Sequence, residues 1–270
     1  MTSQDPDESA IGAAVARLAR AQETRVPCAP VRDLIGTDDL AAAYAVQQGL
    51  VGRRIAGGAR VVGRKIGATS VAVQTQLGVD QPDFGYLLDA MDVSPQAVQG
   101  EAVSMGTLLQ PRVEGEVAFV LGRDVDDDDI TLDVVRAAVD VALPALEIVD
   151  SRIADWQIGF TDTVADNASS GLFVVGTDGR RLDELEPREV TMSLTINGEE
   201  RSAGTGAACL GDPLEALRWL AVQAKAFGDP LRAGHLVLSG ALGPFVPFGP
   251  GDRVVTTISG FAPLAVTFTE

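Results

Sequence analysis

Apolar residues recur along this chain in two rhythms, one helical and one extended. Residues 10–22 carry Ile11, Val15 and Leu18 on one stripe, which predicts an amphipathic helix. A second helix is expected to open at Thr37-Asp38-Asp39, where capping side chains and negative charge favour an N-terminal end. Leu40, Tyr44, Val51 and Ile55 continue it at helical spacing until Gly57-Gly58. From Arg60 the rhythm shortens. Arg60–Ile66 reads as a strand, Gln81-Pro-Asp-Phe-Gly85 as a turn and Val113–Leu121 as a strand. Thr131–Val139 reads as a helix leading into the apolar run Val141–Val149.

Beyond Asp162 the pattern is mostly extended. Thr191–Ile196 meets Asn197-Gly198, a two-residue hairpin signal. Asp212-Pro213-x-Glu215 starts a helix that buries Leu214, Leu217, Leu220, Ala221 and Ala224 and ends at Phe227-Gly228. Short strands are expected at His235–Leu238, Phe245–Phe248, Arg253–Ile258 and Leu264–Thr269. Helices first, then a strand-dominated body, point to an α+β class and not to regular βαβ alternation.

Charge narrows the partners. The 270 residues hold 21 Lys and Arg against 38 Asp and Glu, a formal charge of −17, which disfavours nucleic acid and anionic lipid. No apolar run is long enough to span a membrane, and Met1–Ala10 is acidic and polar, unlike a secretory leader. A cytoplasmic protein is expected. Cys28 and Cys209 are too far apart in sequence to suggest a disulfide framework or zinc knuckle.

The same composition limits the chemistry. Lys65 and Lys225 are the only lysines and His235 the only histidine, so groups able to titrate near neutrality are scarce. A metal site would need oxygen ligands, favouring magnesium, manganese or calcium. Glu114-Gly115-Glu116 places two carboxylates on one face of a strand. Either a divalent cation resolves their mutual repulsion at the edge of a core, or they sit on an exposed strand end beside Arg112. Glu147 lies in the run Leu143–Val149 with no other charge, so it is a third ligand or the partner of a buried arginine such as Arg152. Lys65, between Gly63 and Gly67 in a chain that otherwise writes arginine, is a candidate for an amine that must lose a proton. Asp83, in Pro-Asp-Phe-Gly, reads more readily as an Asx-type turn residue than as a reactive group. Gly204-Thr-Gly206-Ala-Ala-Cys209 fails as a dinucleotide loop, and His235 is expected to be structural.

Six segments in order carry a family resemblance: Val61–Gly67, Gln76–Gly85, Gln110–Glu116, Leu143–Glu147, Asp162–Ser170 and Leu238–Gly243. Through them the chain resembles the 2-keto-4-pentenoate hydratases of the fumarylacetoacetate hydrolase superfamily, which also holds the 4-oxalocrotonate decarboxylases. The resemblance implies a mixed β roll with a small N-terminal helical lobe. It divides the chain into a lobe at residues 1–100, carrying Lys65 and Asp83, and a catalytic roll at 101–270. It implies that Glu114, Glu116 and Glu147 hold Mg2+ or Mn2+, that Lys65 and Asp83 move protons, and that Asn167 and Ser169 bind substrate or water. The implied reaction adds water to 2-hydroxypenta-2,4-dienoate (2-keto-4-pentenoate), giving 4-hydroxy-2-oxopentanoate in aromatic meta-cleavage catabolism. Decarboxylation of a 4-oxalocrotonate-type substrate is the alternative; a catalytically silent subunit is a third, opposed by the intact Lys65, Asp83 and glutamates. The resemblance also implies a homo-oligomer, with association with the pathway aldolase left open.

Overall fold

A computed structural model describes residues 7–70, 74–75 and 81–270; the Gln76–Asp80 part of one motif lies outside them, as does Met1–Pro6. The chain opens with helices α1 (Glu8–Thr24), α2 (Arg32–Ile35) and α3 (Leu40–Ala56). Asp7 and Asp39 cap α1 and α3 by accepting from Ser9 N and Ala42 N. In α3 the buried stripe is Ala42, Ala43, Val46, Gln47 and Val51, whereas Ile55 is exposed. Of the expected stripe, Val51 is buried and Leu40 and Tyr44 pack partly buried against the apolar clusters, so Ile55 alone leaves it, and Ala42, Ala43 and Val46 join the buried face.

Twelve described strands follow. β1 (Val61–Gly67), β2 (Asp83–Leu88), β4 (Arg112–Leu121), β5 (Val139–Val149), β6 (Ser170–Val175), β9 (Leu236–Ala241) and β10 (Val246–Pro247) form one sheet. Its order is β2-β1-β9-β4-β5-β6, with β10 against the start of β4. β3 (Val103–Ser104), β7 (Thr191–Ile196), β8 (Glu199–Thr205), β11 (Arg253–Ile258) and β12 (Leu264–Thr269) form the second, ordered β3-β12-β11-β7-β8. The Asn197-Gly198 hairpin joins β7 to β8 as expected, and helix Pro213–Ala226 packs its leucines into the main core.

Two expectations need correction. Pro82-Asp-Phe-Gly85 is no turn: β2 begins at Asp83 and is buried throughout. Its glycine serves packing, since a Cβ at Gly85 would lie 2.4 Å from the Asn167 carbonyl oxygen. The strands at residues 61–88, grouped from sequence with the N-terminal lobe, hydrogen-bond into the same sheet as β4 and β5. The helices form their own apolar cluster, joined by Val164 and Ala165 of helix Phe160–Ala165. Buried Asp162 ties that lobe down by accepting from Val31 N at 2.8 Å and Arg32 N at 2.9 Å. Buried Gln47 of α3 reaches both neighbours, donating to the Phe84 and Val164 carbonyls at 2.8 and 2.9 Å. Among the described residues no helix is long and apolar enough to cross a membrane.

The glycine between the two glutamates of β4 sets the distance between the sheets. A Cβ at Gly115 would meet Thr256 Oγ1 at 2.8 Å and the Met192 side chain at 3.1 Å, both from the second sheet. The glutamates thereby face one way while the opposite face of β4 closes on its neighbour. Gly115→Val should cost about 1–3 kcal/mol by overpacking. Denaturant unfolding would register this as a lowered midpoint at constant slope, and an unchanged midpoint would mean the sheets are not in contact there.

Candidate metal and acid–base site

Pairing between β4 and β5 puts Glu114 directly opposite Glu147, with Glu116 opposite Ala145. All three glutamates are buried, and each offers a carboxylate oxygen within 4.8 Å of the others. Like charges directly across a strand pair repel, and burial removes the water that would screen them. Glu116 Oε2 accepts from Gly240 N at 2.8 Å, but Glu116 Oε1 and Glu147 Oε2 have no hydrogen-bond partner among the described residues. Gly240 makes its contact with φ +111°, and a Cβ there would lie 2.4 Å from Thr69 Cγ2. Only glycine satisfies both demands.

Neither arginine considered from sequence neutralises these acids. Arg152 instead pairs with Asp166, its Nε 2.5 Å from Oδ1. Arg112 lies across the rings of Trp156 and Phe245. The cation that arrives is Lys65, whose Nζ is 3.0 Å from Glu147 Oε1. β1 and β5 are three strand positions apart, about 14 Å in a flat sheet. The contact therefore depends on the sheet curling and on Lys65 extending across its concave face.

Asp83 sits opposite Gly67 in the β1–β2 ladder. A Cβ at Gly67 would lie 2.2 Å from Asp83 Oδ1 and 3.5 Å from Lys65 Nζ, so the glycine keeps open the space that the acid and the amine both border. Thr163 Oγ1 donates to Asp83 Oδ2 at 3.2 Å, a contact absent from the expected set although Thr163 lies within one of the motif segments. The structure thus brings together Lys65, Asp83, Glu114, Glu116 and Glu147.

Asn167 and Ser169 belong to a different device. Asn167, Ala168 and Ser169 have φ of 54°, 51° and 53°, three successive left-handed residues. The Asn167 amide holds the β2 backbone in both directions, accepting from Tyr86 N at 2.8 Å and donating to Tyr86 O at 2.9 Å. Ser169 Oγ is buried without a hydrogen-bond partner among the described residues.

The electrostatics reflect acid crowding. Burial, then Glu147, raises the Glu114 carboxyl to about 8. Glu116 is pushed well above the usual carboxylate range by burial, then by Glu147 and Glu114. Burial raises Asp83, opposed chiefly by Lys65. Burial opposes charge on Lys65, but Glu147, Asp83, Glu114 and Glu116 together outweigh it and raise its pKa. Without a metal, the amine is an ammonium and at least one glutamate is protonated near neutrality. The donor set is all carboxylate oxygen, clustered and incompletely satisfied, which fits a hard divalent cation.

A family model described as fumarylacetoacetate (FAA) hydrolase C-terminal matches residues 67–269, which contain the three glutamates and Asp83. The chain belongs to the fumarylacetoacetate hydrolase family. Among curated relatives in it, a TodF product hydratase of Pseudomonas putida is 50% identical over 254 residues, 94% of this chain and 93% of that protein. A 2-keto-4-pentenoate hydratase of Paraburkholderia xenovorans is 49% identical, covering 99% of this chain and 96% of that one. Of the solved family structures, a 4-oxalocrotonate decarboxylase from Pseudomonas putida G7, complexed with magnesium and adipate, matches with a TM-score of 0.91. It is 29% identical, and the match covers 98% of this chain and 100% of that one. The fold is thus the mixed β roll with a helical N-terminal region that the resemblance implied.

The raised carboxyl pKa has a testable sign. Between about pH 4.5 and 8 the metal-free folded state retains a proton on Glu114 that the unfolded chain has released. This group's contribution to stability therefore falls as pH rises through that window. A divalent ion replaces the proton, so the gain in Tm on adding magnesium should grow from the acid to the alkaline end. Thermal melts with magnesium and with chelator across the window check this; a gain that shrinks with rising pH contradicts it.

Proposed function

We propose that this protein is a hydratase that adds water to 2-hydroxypenta-2,4-dienoate, producing 4-hydroxy-2-oxopentanoate in the breakdown of aromatic compounds. The observation that carries the reading is near-full-length identity of about half to relatives named as hydratases, against 29% to the decarboxylase of the same fold. Glu114, Glu116 and Glu147 would hold Mg2+ or Mn2+, which when bound supplies a Lewis acid for the substrate's carboxylate and C2 oxygen.

The chain's own groups divide the proton work. Asp83, buried and with its pKa raised by that burial, is the base: its carboxylate takes the proton released as the dienol becomes a ketone. Lys65, held as an ammonium by the surrounding acids, is the donor: Nζ delivers a proton to C5, leaving C3=C4 conjugated to the new C2 ketone. The pair then acts again on water, one group taking its proton as oxygen bonds to C4 and the other supplying C3. Thr163 orients the Asp83 carboxylate through the bond at 3.2 Å. Burial of both groups excludes bulk water from the proton path. Asn167 acts through β2, fixing the strand that carries Asp83, while Ser169 Oγ is the hydroxyl of its loop left to receive substrate or water.

Lys65→Ala should lower kcat for dienoate hydration by about 10²–10⁴-fold while magnesium still binds. Retained turnover would remove the lysine from the mechanism. Glu114→Gln combined with Glu116→Gln should abolish magnesium binding and turnover together. Spectrophotometric assays of dienoate hydration and of 4-oxalocrotonate decarboxylation, each with magnesium or with chelator, separate the two chemistries. Metal-dependent hydration is expected, and decarboxylation as the faster reaction would overturn the assignment.

A further inference from the structure

Arg112 shares the ligand face of β4. Residues two apart in a strand point the same way, so Arg112, Glu114 and Glu116 form one row. Accessibility rises along it, from fully buried Glu116 through Glu114 to half-buried Arg112, which marks the Arg112 end as the outer one.

Among the described residues no carboxylate or carbonyl pairs with the Arg112 side chain; its contacts are aromatic, with Cζ 4.6 Å from the Trp156 ring centroid and 4.9 Å from that of Phe245. The two rings are themselves stacked, 5.7 Å apart. Phe245 immediately precedes Val246, the partner of Val113, so it lies alongside Glu114. The aromatic clamp is costly to build. Asp155 and Trp156 take φ of +56° and +55°, and Gln110 secures them, accepting from Asp155 N at 2.8 Å and from Trp156 Nε1 at 3.0 Å through its side-chain and backbone oxygens respectively. Such a strained loop holds a guanidinium flat while leaving its N–H donors unclaimed.

We propose that Arg112 binds the carboxylate end of an organic-acid substrate and fixes the direction in which it lies in the site. Resting on the hydratase reading above, this places the substrate carboxylate toward Arg112 and the unsaturated tail toward Lys65 and Asp83. The charge logic is simple. An anion approaching three glutamates and an aspartate needs more positive charge than Lys65 and one divalent ion supply, and Arg112 is a cation on the correct face with no acid partner among the described residues. Trp156 is a positioning residue that acts through Arg112.

The test is calorimetric binding to the magnesium-loaded protein, using the unreactive 2-oxopentanoate and its neutral amide, 2-oxopentanamide. Arg112→Gln should weaken the acid by about tenfold or more, leaving the amide and magnesium affinities unchanged. Arg112→Lys, which keeps charge but loses the planar fork, should fall between. Trp156→Leu should weaken the acid as well, and Trp156→Phe should restore it. Unchanged acid affinity in Arg112→Gln, with magnesium still bound, overturns the proposal. A wild-type protein that binds magnesium but neither compound sinks the 2-oxo-acid reading of the site, and the Arg112 assignment with it.

Discussion

The fold brings like charges together across a strand pair. Glu114 and Glu147 face each other between β4 and β5, out of water, with Glu116 beside them. Such a cluster is unfavourable by itself, and the surrounding structure supplies what makes it tolerable. Gly240 N gives one hydrogen bond, and Lys65 reaches across the curled sheet to Glu147. The remaining carboxylate oxygens are left for a cation that the chain does not encode.

The positions around the cluster are set by how closely backbones approach. Gly115 lets the second sheet close behind β4, and Gly67 leaves room for the Asp83 carboxylate beside the Lys65 amine. The anchors further out are polar and buried: Asn167 on the β2 backbone, Asp162 on the N-terminal lobe, Asp166 with Arg152. Each is satisfied by specific partners, and that fixes the strands carrying the reactive groups. The reactive acids themselves keep unmatched lone pairs.

Much of this was legible in the residues. Alternation placed Glu114 and Glu116 on one face, and an isolated acid in an apolar run singled out Glu147. What pattern could not supply was who pairs with whom. Arg152 and Lys65 were both available to Glu147, and only the curl of the sheet decides for Lys65. Asp83 was hidden because Pro82 and Gly85 are strong turn signals locally; here they lie at and within a buried strand whose glycine admits the Asn167 loop. The left-handed run Asn167–Ser169 contains no glycine and left no sequence signal. Arg112 was read as a possible partner for the glutamates, and its aromatic clamp depends on residues more than 40 positions away.

The central claim is that Glu114, Glu116 and Glu147 form one cation site whose charge is otherwise held by protons. Calorimetric titration of the metal-free protein with magnesium near neutral pH, in two buffers of different ionisation enthalpy, measures it directly. The account predicts one bound ion and the release of about one proton or more with it, since Glu114 and Glu116 must ionise to become ligands. Binding that releases no proton, or binding that survives Glu114→Gln with Glu116→Gln, would contradict it.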